Sequence, residues 1–384
     1  MTREHEILIV GGGLVGAAAA VALKRQGRDV ALLEIRPAET DSDKLLNGWD
    51  ARIFAISPAN QALLQSLDAW PSESRIQAVT KMDVRGDNGG RIVFDAADLP
   101  APRLTSIAEN RWLLAALWQQ IRALDIPVIH TPAKALETDI QTASLRLSDD
   151  SRIRARLVIG ADGANSWVRQ QAGIPVRETP YGQHGVVANF HTELDHQGTA
   201  SQWFKQGDVL AYLPLPERKI SMVWSTSEPE KLTTLTPDDL AAAVTAQGDG
   251  VLGKLSPLSP TFSFNLILRR PEKTYAPRIL LMGDAAHTIH PLAGQGVNLG
   301  FGDAAAFAQI SRNAPDIGAF PLLKRFAQSR LEPVRTMQYG CDGLFRLFAD
   351  NTLPALPWLR NTGLSLVDSV PFVKNRLIKH AMGL

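Results

Sequence analysis

Gly11, Gly13 and Gly16 are spaced as G-x-G-x-x-G, and they sit between an apolar run, Ile7-Leu8-Ile9-Val10, and an alanine-rich stretch ending near Gln26. Each glycine has a separate task in a dinucleotide fold. Gly11 permits the tight turn, Gly13 lets a diphosphate approach the backbone, and Gly16 lets helix and strand touch. Glu34 ends the next apolar run, Val30-Ala31-Leu32-Leu33, where its carboxylate can accept from a ribose hydroxyl. The unpaired N–H groups at the start of the intervening helix favour an anion.

Two further clusters carry chemistry. Gly160-Ala161-Asp162-Gly163 follows the strand-like run Arg156-Leu157-Val158-Ile159, and a short helix capped by Asn165 or Ser166 should come after it. The stretch from Gly283 and Asp284 through His287, His290, Pro291 and Leu292 to Gly294, Gln295, Gly296, Val297 and Asn298 also follows an apolar strand, with Asp303 beyond. Asp284 can bind a second polyol. Gly294-Gln295-Gly296 opens a helix whose N-terminus would lie against a planar acceptor and favour its anionic reduced form. His287 and His290 lack a third ligand or an HExxH frame, which points to a structural role rather than a metal site.

These clusters need strands and helices to bring them together. A helix should start near Ser57-Pro58 and reach Leu67. Asn110 is placed to cap a helix carrying Leu113, Leu117, Trp118 and Ile121 at helical spacing. Val79 to Val84 and Arg91 to Phe94 read as strands joined at Asp87-Asn88-Gly89-Gly90, and Arg85-Gly86-Asp87 is part of that hairpin. Ser144 to Ala155 reads as another hairpin. Short strands dominate from Val186 to about Leu268, broken by a helical piece near Thr236 to Gln247. Nucleotide-binding elements therefore lie at both ends of the chain, around a β-rich insertion.

Bulk properties narrow the classes. The chain has 384 residues, 45 % hydrophobic and 21 % charged, which suits a two-domain globular protein. Forty basic against 39 acidic residues leave a net charge of +1, which gives no support for nucleic acid as a partner. A single cysteine, Cys341, excludes an internal disulfide and suits a reducing compartment. The charge-free run Ile7 to Leu23 follows the nucleotide-binding pattern rather than that of a signal or membrane span. Cytoplasmic residence is the expectation.

The three motifs together resemble the FAD-dependent aromatic monooxygenases of the p-hydroxybenzoate hydroxylase type, and within them the ubiquinone-biosynthesis hydroxylase family. Asp50-Ala51-Arg52 with Ala55-Ile56-Ser57 is similar to that family's arginine segment, with Ile56 where leucine is common. Tyr181 to Asn189 is similar to its entry into the substrate-side sheet, Leu213 to Pro216 and Val223 to Ser225 to later strands of that sheet, and Asp342 to Phe345 and Arg360 to Leu364 to its C-terminal helices. The resemblance spans nearly the whole chain.

The implied fold is α/β, a Rossmann-type FAD-binding domain with an interleaved β-sheet substrate domain and C-terminal helices. Residues 1–75, 96–175 and 275–335 would form the FAD-binding domain, 76–95 and 176–274 the substrate-binding sheet, and 336–384 the helical segment. The implied site residues follow the motifs. Gly11, Gly13, Gly16 and Glu34 would hold the ADP part of FAD, and Arg52 and Arg111 would reach the pyrophosphate or flavin edge. Asp162 would belong to a turn shared between FAD and the nicotinamide donor, and Asp284 would bind ribityl hydroxyls. Pro291 and Gly294 to Asn298 would line the isoalloxazine.

The implied reaction is hydroxylation of a polyprenylated phenol or quinol in ubiquinone biosynthesis, using NAD(P)H and O₂ through a flavin C4a-hydroperoxide. The other G-x-G-x-x-G, Gly248 to Gly253, follows the helical piece near Thr236 to Gln247 rather than an apolar strand and so forms no second Rossmann unit, and NAD(P)H would act as a transient co-substrate. The W-x-W-x-I-P stretch of flavin halogenases is missing, since none of the eight tryptophans has another two positions away, which argues against halogenation. The alternatives are a FAD-dependent reductase of an isoprenoid and a FAD-holding subunit of a biosynthetic complex. Beyond Asn351 the chain is basic, with Arg360, Lys374, Arg376 and Lys379 against Asp368. That composition gives an expectation of peripheral contact with the inner face of the membrane, or of a complex with other ubiquinone-biosynthesis proteins, alongside a solvated basic helix pair.

Overall fold

A computed structural model of the chain describes residues 2–87, 89–98, 101–289 and 296–349. At its centre the strand Thr2–Val10 pairs in parallel with Arg152–Gly160 on one side and Val30–Leu33 on the other. Ile279–Leu281 continues the parallel set beyond Arg152–Gly160, and Val128–Ile129 continues it beyond Val30–Leu33. Where they lie level with one another, at 7–10, 157–159, Val30–Leu33 and Ile279–Leu281, these strands are continuous apolar runs rather than alternating ones, because both faces are covered. Helices Leu14–Arg25, Asn110–Ala123 and Gly296–Ser311 bury Ile7, Ile9, Leu157, Ile159 and Leu280 on one face. On the other face, Leu8, Val10, Val158 and Leu281 pack against Leu145, Ile153 and Val168.

The second sheet runs Leu255–Pro257, Val176–Thr192, Lys219–Thr226, Asp208–Leu215, Thr199–Lys205, Lys81–Arg85, Arg91–Asp95, with Phe262–Pro271 also on Val176–Thr192. The hairpin from Lys81 to Asp95 joins in parallel with Thr199–Lys205, so a segment early in the chain completes a sheet built mostly much later. One face of this sheet buries Phe190, Trp203, Leu210 and Met222 against the helix Pro237–Gln247. A three-stranded sheet, Ile53–Ile56 with Thr105–Glu109 and Ile76–Val79, stands beside it. The long helix Phe320–Ala349 closes the described chain.

Two local expectations are corrected. Asn110 is the first helical residue rather than the cap. Glu109 holds the extended cap position at φ −73° and ψ 138°, and the Asn110 amide donates to Asp50 Oδ2 at 3.3 Å instead. The short strands expected from Val186 open instead with one long strand that starts before it, the 17-residue Val176–Thr192. Pro180 sits where that strand's register shifts, before His184. Ser166, one of the two cap candidates, is the residue that caps the short helix, accepting from Arg169 N at 3.0 Å.

Candidate active site

Parallel register brings the three motifs to one edge. Val10 is level with Gly160 and with Leu33, and Gly160 with Leu281. The residues that follow (Gly11, Glu34, Ala161 with Asp162, Gly283 with Asp284) therefore emerge side by side at the carboxyl ends of the strands, where open α/β sheets bind ligands. The backbones touch there. Gly11 has φ +104°, and a Cβ on it would overlap the Ala161 carbonyl and lie 2.9 Å from Asp162 Cα. A Cβ on Gly16 would overlap the Gly11 carbonyl. Gly300, in the helix of the third motif, would likewise overlap Val15 and come 3.2 Å from Gly283 Cα.

Gly13 differs from its neighbours. Its backbone is ordinary extended chain, φ −69° and ψ −175°, and a Cβ would meet nothing within 4 Å. The helix that begins there has no side-chain cap and no acid in its first turn. Neither packing nor backbone conformation thus requires a glycine here, and the uncapped helix start has the free N–H groups that suit an anion. Glu34 stands beside it. One carboxylate oxygen accepts from Gly12 N at 2.7 Å and the other from Arg36 N at 3.0 Å, while Trp118 Nε1 donates to Gly12 O at 2.9 Å.

The second and third motifs are tied by Arg169, which is buried and donates to Ala285 O at 2.9 Å and Ala164 O at 2.8 Å. Burial lowers its pKa. Asp162 Oδ2 accepts from Val168 N at 3.0 Å, and its Oδ1 is buried with no partner. An orphaned carboxylate oxygen at the meeting point of the motifs is a vacant acceptor for a ligand hydroxyl or amide. Asp284 reaches solvent, yet desolvation raises its carboxyl pKa against the opposing pull of His287 and Arg269. Both observations fit a side chain on the wall of a recess.

Asp303 is the hub beneath the third motif. Oδ2 accepts from Gly283 N at 2.9 Å and His287 Nε2 at 2.7 Å, and Oδ1 accepts from Arg330 Nε at 2.7 Å. This gives His287 a structural partner, and among the described residues no cluster of metal-ligating side chains occurs.

Arg52 and Arg111 end differently. The Arg52 side chain is 71 % exposed, with Asp50 Oδ1 at 3.9 Å. Arg111 donates to Glu109 at 2.9 Å, Asn47 O at 3.1 Å and Gly48 O, so its guanidinium holds the loop that leads to Arg52. Asn298 is also occupied: its Oδ1 accepts from Ser57 N and Asn60 Nδ2, both at 2.9 Å, and its Nδ2 donates to Ala55 O at 2.7 Å. Gly296 begins the helix and Val297 packs partly into the core. Pro291, Gly294 and Gln295 lie outside the described residues, as does His290.

Sequence reading missed Glu109 with Arg75, and Arg330. No motif marks them, since each partner comes from a separate element. A cavity of about 1100 Å³ is lined by Arg25, Leu67, Ala308, Arg312, Pro315 and Arg325. It lies at the far end of the helix from Gly13, roughly 18 Å away by helical rise, and takes no part in this site.

A model of a FAD binding domain matches residues 129–310, and one of an NAD(P)-binding Rossmann-like domain matches residues 9–38. The 3-demethoxyubiquinol 3-hydroxylase of Escherichia coli is 37 % identical over 396 residues, covering 100 % of both chains. Ubiquinone hydroxylase UbiL of Rhodospirillum rubrum is 34 % identical over 99 % of this chain and 90 % of its own. The human mitochondrial ubiquinone biosynthesis monooxygenase COQ6 is 30 % identical over 98 % and 92 %. Among solved structures, p-nitrophenol 4-monooxygenase PnpA from Pseudomonas putida superposes with a TM-score of 0.80 at 17 % identity, over 99 % of this chain and 98 % of that one. HpxO of Klebsiella pneumoniae, complexed with FAD and uric acid, gives 0.76 at 18 %, over 98 % and 97 %. At such identities the structures establish the fold alone.

Proposed function

The chain belongs to the ubiquinone-biosynthesis hydroxylase family of FAD-dependent aromatic monooxygenases, and we propose that its own substrate is the ring of a polyprenylated phenol or quinol. Bound FAD supplies the redox chemistry, taking electrons from NAD(P)H and activating O₂ for transfer of one oxygen atom to the ring. The protein's part is to bind and orient. Gly11 and Gly16 close the motif, Gly13 leaves room for the diphosphate, and Glu34 faces the ribose. Asp162 Oδ1 offers an acceptor at the junction, Asp284 would bind ribityl hydroxyls, and Pro291 and Gly294 to Asn298 would line the isoalloxazine. Arg52 supplies a positive charge at the flavin edge, and Arg111 acts by holding the segment that carries it.

The division into residues 1–75, 96–175 and 275–335 for FAD, 76–95 and 176–274 for substrate, and 336–384 as a helical segment belongs to the same reading. So do cytoplasmic residence and peripheral contact with the inner face of the membrane or with other ubiquinone-biosynthesis proteins. The basic composition beyond Asn351 supports this contact, and that segment lies outside the described residues. Among the described residues no helix is long and apolar enough to cross a membrane.

The observation that carries the cofactor assignment is Gly13, a glycine required by neither its dihedrals nor its neighbours. Gly13→Val should leave the apoprotein's melting temperature unchanged and give a colourless protein. A yellow, stoichiometric variant would contradict the assignment. For the reaction, mass spectrometry of quinone precursors after gene deletion should show an intermediate lacking one ring hydroxyl, restored by the wild-type gene and not by Gly13→Val. Accumulation of an unsaturated isoprenoid would instead indicate a reductase.

A further inference from the structure

We infer that Arg330, acting through Asp303, and Gln338 are positioning residues for the turn Gly283–Thr288, so that the C-terminal helix Phe320–Ala349 is energetically part of the FAD site. This rests on the cofactor reading above. Asp284, the residue assigned to the ribityl chain, is held in place by what grips the turn on either side. On one side, Gly283 N and His287 Nε2 both donate to Asp303 Oδ2, at 2.9 and 2.7 Å. Asp303 is itself only 2 % exposed, and its second oxygen is taken by Arg330 Nε at 2.7 Å. Arg330 Nη2 reaches on to Leu299 O at 3.1 Å, passing over Gly302, where the absent side chain leaves it room.

On the other side the same helix grips the turn directly. Gln338 Nε2 donates to Thr288 O at 3.1 Å and Arg269 O at 3.4 Å, and Gln338 Oε1 accepts from Arg270 Nε at 3.1 Å. Thr288 is in turn locked to the substrate-side strand, its Oγ1 accepting from Arg269 N at 2.7 Å and donating to Ile267 O at 2.8 Å. Arg330 and Gln338 are about 12 Å apart along the helix. One helix thus holds both ends of the turn that carries the cofactor-facing carboxylate. Linkage makes the relation reciprocal: if the helix sets the turn for FAD, FAD must stabilise the helix.

The test uses full-length apoprotein titrated with FAD, with flavin fluorescence for affinity and hydrogen–deuterium exchange for residues 283–289 and 326–338. Arg330→Met should weaken FAD binding roughly tenfold or more, within the usual range of coupling between sites. Arg330→Lys should recover part of the loss. FAD should slow exchange in the helix of the wild type and fail to do so in Arg330→Met. Should Arg330→Met not fold, Gln338→Leu decides, with several-fold weaker binding and faster exchange at Thr288 expected. As a control for general destabilisation, Arg278→Met removes a 2.6 Å pair with Asp316 away from the turn and should lower stability without changing FAD affinity. Dissociation constants within twofold of wild type in Arg330→Met and Gln338→Leu would overturn the inference alone. A wild-type protein that binds no FAD would sink the cofactor reading, and the inference with it.

Discussion

Asp303 beneath the third motif and Glu109 beneath the Arg52 segment make an instructive pair. Both carboxylates are buried, at 2 % and 0 % exposure, and both have two cationic partners and one backbone N–H. Burial raises the pKa of each. At Asp303 it is outweighed by His287 and Arg330, and the carboxyl lies below its ordinary range. At Glu109 burial prevails over Asp50 N–H, Arg111 and Arg75, and the carboxyl lies above its range. The cations explain the contrast. Arg75 divides its guanidinium among Glu109 at 3.2 Å, Leu46 O at 2.9 Å and the face of Trp49 at 4.4 Å, and Arg111 spends two donors on Asn47 and Gly48. Arg330 and His287 instead approach Asp303 at 2.7 Å each. One site is a charge lock, and the other chiefly holds a loop in shape.

Removing the negative charge from each should separate them. Asp303→Asn leaves Arg330 and His287 buried without their counter-charge, and should cost about 3–5 kcal/mol in urea unfolding, the range for breaking a buried pair. Glu109→Gln keeps an acceptor for Asp50 N, which now donates at 2.8 Å, and leaves both arginines on carbonyls. It should cost only about 1–3 kcal/mol, as for an imperfectly replaced buried hydrogen bond. Equal losses, or the reverse order, would break the distinction.

The same contrast marks what the sequence disclosed. The glycine fingerprint was legible because its constraints fall on adjacent residues: Gly11 must pass Ala161, and Gly16 must pass Gly11, within a single strand–turn–helix unit. The two later motifs were legible as strand ends, and parallel register did the rest. Asp303 with Arg330 was not, because the partners sit on different helices and an arginine on an amphipathic helix carries no mark of burial. Asn110 misled for a related reason. Both Glu109 and Asn110 suit a helix start, and the choice was made by Asp50, which approaches from another loop. Pro180, Gly182 and Gly185 hid the start of the long strand Val176–Thr192, since a bulged strand reads locally as loop.

The smallest effects lie in the pH dependence, and they sharpen the pair further. His287 faces Asp303, Asp284 and Arg330; burial and Arg330 lower its pKa, but the two carboxylates win and raise it. A raised folded pKa means a contribution fully present below the unfolded value, about 6.5, and lost as pH rises through the folded one. The stability gap between wild type and His287→Gln should therefore be widest near pH 6 and narrow towards pH 9. Glu109 also has a raised pKa, so its contribution is complete only below about 4.3 and has declined by neutrality. Over the same titration the gap between wild type and Glu109→Gln should grow towards the acid side, at pH values where His287 is already fully charged. Urea midpoints at pH 5, 7 and 9 for the three proteins would show both trends. A His287 gap that widened with pH would mean that the imidazole is held neutral, and that Asp303 owes its charge to Arg330 alone.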